Sequence, residues 1–146
     1  MTGDLTEALL EDLVRTSFAV MAVLNRVAAE NDLSLTQLRA LAILRDREPT
    51  MAQLADYLGL ERSSVSGLMD RAVRRGLAQK IASPDDGRAV HVSLTSEGHR
   101  LGADVSDKVT GLLAPLTGRL SAAEQKRLHA LLFAMLDHPD KNLRPS

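Results

Sequence analysis

The sequence predicts a mainly α fold with one small β-hairpin, in the order α-α-α-α-β-β-α-α. Three observations carry that reading. The apolar share is 45%, yet Phe18, Tyr57 and Phe133 are the only aromatics, so the core must come from Leu, Val, Ala, Ile and Met. Apolar residues recur at helical spacing along most of the chain. Between Gly76 and Thr95 that period gives way to a turn-rich SPDDG segment and an alternating AVHVSL run.

A first helix is expected over about 5–30, where Leu10, Leu13, Phe18, Met21, Leu24 and Val27 keep helical period. Leu9, Val14, Val20 and Val23 add a second apolar stripe, more than one packing face needs. Ser34-Leu35-Thr36-Gln37 is a capping box, and Leu33 with Leu38 has the spacing of a hydrophobic staple, so a second helix opens there and runs toward Pro49. Thr50-Met51-Ala52-Gln53 repeats the box and starts a short third helix to Leu58, which Gly59 interrupts. A fourth helix, about 61–75, lays Val65, Leu68, Met69 and Ala72 on one face and stops at Gly76. Leu77 to Ala82 and Ala89 to Leu94 then form the hairpin, with Val90, Val92 and Leu94 on one side and His91 facing outward and exposed. An isolated hairpin is marginal unless helices support it. Thr95 caps a fifth helix with a Leu101, Val105, Val109, Leu112, Leu113, Leu116 stripe, which Pro115 should end or kink. A third capping box, Ser121-Ala122-Ala123-Glu124, starts the sixth.

Composition excludes much. The 146 residues suit a single domain, 1–146. No window of about 18 apolar residues suggests a membrane span. The opening MTGDLTEALLEDLV has four acidic residues and no basic region of the signal-peptide kind, so the cytoplasm is the default address. Without cysteine there is no disulfide, thiol nucleophile or thiolate metal site. His91, His99, His129 and His138 are scattered without metal-ligand spacing. Phosphate-loop, dinucleotide and G-x-S-x-G motifs are missing too, so neither cofactor, metal nor enzymatic activity is expected.

The informative segment is 50–94. A short helix, a glycine turn, a second helix and a hairpin describe a winged helix-turn-helix. The 50–58 helix braces the 61–75 helix, whose first half can enter a major groove about 12 Å wide. There Arg62, Ser63, Ser64, Ser66 and Gly67 interleave with Val65 and Leu68, offering small polar groups and helix N-terminal amides to phosphates and base edges. Arg71, Arg74 and Arg75 follow, and Thr50 and Gln53 complete the candidate DNA-binding set. A solvated helix face explains any one arginine equally well. The set, with a hairpin at the right distance, is what points to double-stranded DNA. Net charge is only −1, but residues 61–88 hold six basic against four acidic side chains, leaving −3 for the rest.

Over nearly its whole length the chain resembles the multiple-antibiotic-resistance-regulator (MarR) family. The specific pieces are LMDRAVRRGL and Asp86-Gly87-Arg88 followed by VHVSLTSEG, which resembles that family's D-x-R wing and the start of its dimerisation helix. The resemblance implies that Arg88 enters the minor groove, where a narrow groove favours arginine. Asp86, which would repel phosphate, reads as an orienting partner for an arginine such as Arg71, or simply as a turn former. Gly67 stands where many relatives carry a basic side chain. Ala72-Val73 stands where they carry Leu and a charge, so the helix is either slightly rotated or Val73 fills the gap.

The resemblance further implies a DNA-binding lobe over 34–94 and a helical dimerisation region over 1–33 and 95–146. The apolar stripes of the terminal helices agree, because a monomer would expose large patches. The expected function is a sequence-specific transcriptional regulator, most simply a repressor, gripping an inverted repeat as a homodimer. Relatives are often released by small aromatic or phenolic ligands between the two regions. Lining for such an effector would come from 10–24, 35–45 and 98–113, and the sequence nominates no single pocket residue. The alternative is a winged-helix protein-interaction module that does not bind DNA.

Overall fold

The computed structural model describes residues 2–83 and 89–137. The elements are α1 (Thr2–Glu30), α2 (Leu35–Leu44), α3 (Met51–Leu58), α4 (Arg62–Arg74), β1 (Ala78–Ala82), β2 (Val90–Leu94), α5 (Ser96–Thr117) and α6 (Ala122–Leu136). This is the expected mainly helical order with a two-stranded antiparallel hairpin, the winged helix-turn-helix arrangement.

Local chemistry sets the boundaries. The Ser34 hydroxyl accepts from the Gln37 N–H at 3.0 Å, while Gln37 Oε1 accepts from the Ser34 N–H at 2.7 Å. Thr50 and Gln53 make the same reciprocal pair at 3.1 and 3.0 Å. Each pair satisfies two amides that a helix start otherwise leaves without partners. Gly59 takes φ 64° and Gly76 φ 75°, left-handed conformations that cost a side-chain-bearing residue energy, so both helices of the turn stop cleanly. α1 begins at Thr2, ahead of its apolar stripe. α5 passes through Pro115 to Thr117, so the helix does not stop at that residue. Pro115 sits in the last turn, where its missing N–H forfeits a single bond.

Two apolar clusters hold these elements. One joins α2, α3, α4 and the hairpin, with Leu54, Val65 and Val92 fully buried and Met69 nearly so. The other joins Val27 and Ala28 of α1 to Leu38 of α2 and Val105 of α5. Ala72 packs against the first cluster while Val73 is exposed, so Val73 does not fill the gap the sequence suggested. The helix phase explains this, since position 72 repeats the Leu68–Met69 row and position 73 turns away from it.

The strands pair from Ala78 opposite Leu94 to Ala82 opposite Val90. A third rung stiffens them: Val92 N–H donates to the Pro49 carbonyl at 2.9 Å, and Thr50 bridges His91. His91 is therefore half-buried, with Nδ1 2.7 Å from the Glu48 carbonyl oxygen, which corrects the expected exposure. Val92 and Leu94 are buried as expected, but Val90 lies beyond the edge of the core and is exposed.

Candidate nucleic-acid interface

α4 is amphipathic in the way a groove-reading helix requires. Val65, Leu68 and Met69 face the core, while Arg62, Ser63 and Ser64 are exposed and Ser66 and Gly67 half-exposed. Arg71 and Arg74 continue the outward side. A Cβ added at Gly67 would lie 3.6 Å from Arg71 Nη1, an ordinary contact, so the arginine passes close to the bare backbone there. Arg74 Nε reaches the Asp70 carbonyl at 3.4 Å.

One placement differs from the pattern in the sequence, and one keeps to the expected capping box. Arg75, though exposed, reaches back to the end of α1: Nη1 donates to the Asp32 carbonyl at 3.0 Å and Nη2 to that of Asn31 at 3.2 Å. It caps the end of α4, two helical turns after Leu68, which brings it beside the turn that follows α1. Thr50 and Gln53 direct their side-chain oxygens to each other's amides at the start of α3. Asp86 and Arg88 lie outside the described residues.

Lys80 is the neighbour the sequence reading overlooked. Its Nζ lies 2.8 Å from Asp70 Oδ1, joining β1 to the outward side of α4. That ion pair holds the Asp70 carboxyl below its usual range, chiefly through the Lys80 hydrogen bond. It also masks a negative charge that would otherwise repel phosphate. An aspartate beside Arg71 and Arg74 on an exposed helix face was the available signal, since such a face needs a countercharge.

Behind this lobe, α1, α2 and α5 enclose a cavity of about 160 Å³ lined by Leu24, Leu38, Leu41, Ala42, Arg45, Gly102, Val105, Ser106 and Val109. Its walls are apolar apart from Arg45 and Ser106. The Arg45 stem crosses Gly102, where a Cβ would stand 3.1 Å from its Cγ and Cδ. Among the described residues no cluster of three metal-ligating side chains occurs, and no helix is long and apolar enough to cross a membrane.

Comparison with known proteins fits this geometry. The sequence model of the MarR family matches residues 31–89, which include α2, α3, α4 and β1. A mutant MarR from E. coli, solved with operator DNA, superposes at TM-score 0.67 and 26% identity, covering 87% of this chain and 93% of that one. Residues 31–89 match the MarR family of transcriptional regulators, and the described fold is similar to solved MarR structures. A curated relative, the transcriptional repressor MprA of Escherichia coli K12, is 26% identical over 120 residues, 80% of this chain and 68% of that protein. The NadR structure with 4-hydroxyphenylacetate superposes at TM-score 0.72 with 22% identity, covering 84% of this chain and 88% of that one, a likeness of MarR fold.

Proposed function

We propose that this MarR-family chain is a sequence-specific repressor that binds an inverted repeat of duplex DNA as a homodimer, one α4 per half-site. The observation that carries the reading is α4 itself. Its core-facing row is buried, while hydroxyl and guanidinium groups of Arg62, Ser63, Ser64, Arg71 and Arg74 stand on the exposed side. Arg88 would add a minor-groove contact from the wing, with Asp86 orienting an arginine near it. Thr50, Gln53 and Gly67 would line the approach to the duplex through backbone and shape rather than base readout.

Dimerisation is supported by the exposed apolar residues of α1 and α6, among them Leu9, Phe18, Leu131 and Phe133. A soluble monomer avoids such patches. Two copies would set the recognition helices about 34–36 Å apart, one turn of DNA. The cavity between α1, α2 and α5 suits a small aromatic or phenolic anion, with Arg45 as the cation beside it. Such an effector would release DNA only by preferring a conformation with the recognition helices wrongly spaced. A chromosomal operator places this work in the cytoplasm.

The test is a salt titration on a duplex recovered by the protein from random-sequence DNA. Log affinity should fall against log salt by about 0.9 per phosphate contacted. Arg88→Ala should weaken binding by about 1–3 kcal/mol. A flat salt response would reject DNA as the partner and favour a winged helix that docks on protein.

A further inference from the structure

Among the described arginines of the candidate DNA set, Arg75 is the one whose guanidinium bonds a distant part of the chain, although the residue stays exposed. Its two terminal nitrogens hold the carbonyls of Asn31 and Asp32, 44 and 43 residues away in the chain. Those carbonyls belong to the turn that ends α1. There Asp32 adopts φ 54°, the only non-glycine residue with positive φ among those described. Leu33 N–H closes the helix end onto the Ala28 carbonyl at 2.8 Å. α1 has no basic residue in its last turn, so the cation at its negative end comes from the end of α4 instead. A planar guanidinium can bond two such acceptors together, which an ammonium group does less well.

The cavity beneath Arg75, bordered by Leu33, Gln37 and Ala72, is about 30 Å³. That is room for a single water, far below what a ligand needs. An anion site is therefore a poor account of this arginine.

We propose that Arg75 is a positioning residue for DNA recognition: its bridge to the end of α1 sets the pose of α4 relative to the helix carrying the exposed apolar stripe. The inference rests on the DNA-binding dimer proposed above. In such a dimer, α1 belongs to the partner-facing part and α4 to the DNA-facing part. A bond between their ends then transmits the spacing of one to the other, and contributes nothing to phosphate neutralisation.

The experiment uses the full chain with the duplex recovered by the wild-type protein and two derivatives, one base pair longer or shorter between half-sites. Arg75→Gln should keep the wild-type salt slope. It should lower affinity for the native spacing by roughly three- to tenfold while changing the two derivatives much less, as expected for losing bonds to a charged donor. Arg75→Lys should recover part of the spacing preference. A salt slope reduced by about one would mark a phosphate contact and overturn the proposal. Equal losses on all three duplexes would also overturn it, because they indicate lost fold stability alone. Hydrogen exchange without DNA supplies the second reading: the Leu33 amide should exchange roughly five- to tenfold faster in Arg75→Gln. Unchanged exchange sinks the bridge. A wild-type chain that recovers no duplex sinks the DNA reading and this role with it; unchanged spacing preference beside intact wild-type binding sinks this role alone.

Discussion

α4 and α6 show opposite balances of local and tertiary support. α6 starts with a complete capping box, Ser121 and Glu124 bonding each other's amides at 3.2 and 2.9 Å, yet none of its residues is buried. α4 starts at Glu61 without any side-chain cap, yet buries Val65, Leu68 and Met69. A 15-residue helix is marginal in water on local signals alone. Capping therefore tells where a helix begins, and burial tells whether it stands by itself. The lobe of α2, α3, α4 and the hairpin has its own core, whereas α6 and the first half of α1 need something to lie against.

The largest test removes that support. Deleting residues 1–15 takes away Leu5, Leu9, Leu10 and Val14, all exposed in the single chain. The expected product is monomeric or insoluble by light scattering after size exclusion. A well-behaved dimer of the truncated chain would show that these residues cover no partner.

A matched pair of substitutions separates the regions further. Leu54 is fully buried in the lobe, and Leu54→Ala should cost about 2–5 kcal/mol in unfolding while leaving the dimer's dissociation constant unchanged. Leu131 is 52% exposed in the single chain, and Leu131→Ala should instead weaken dimerisation by about tenfold, as losing part of a buried leucine would. If both act on unfolding alone, the two regions are not different in kind.

Most of the fold was legible because short-range chemistry dictates it. Ser34, Thr50 and Ser121 announced three helix starts through residues three positions later, and Gly59 and Gly76 announced two stops. The misjudged residues depend on distant chain. His91 looked exposed because alternation within β2 cannot reveal that Glu48 and Pro49 run beside it. For Arg75 the sequence shows only its charge, while the partners of its guanidinium lie at the end of α1. Lys80 was passed over because its partner Asp70 lies ten positions back in a different element. The cavity falls within the three stretches nominated from the sequence, but Arg45 emerged only when Gly102 was seen to let its stem pass.

The smallest effect concerns the third residue of each capping box. In α2 and α3 it is Gln37 and Gln53, which carry no charge at any pH. In α6 it is Glu124, whose carboxylate accepts the Ser121 backbone N–H and is held below the ordinary glutamate range chiefly by that bond. A carboxyl with a lowered folded-state pKa stabilises above its unfolded value, and the contribution is lost as pH falls through the folded one. Mild acid should therefore loosen the start of α6 while the caps of α2 and α3 hold. Exchange of the Ser121 amide should quicken relative to its intrinsic rate as Glu124 protonates, with the Ser34 and Thr50 amides unaffected. Glu124→Gln should abolish that difference by giving α6 the same uncharged box. If the Ser121 amide keeps its acid response in Glu124→Gln, the sensitivity lies elsewhere, and the boxes of the two regions are equivalent.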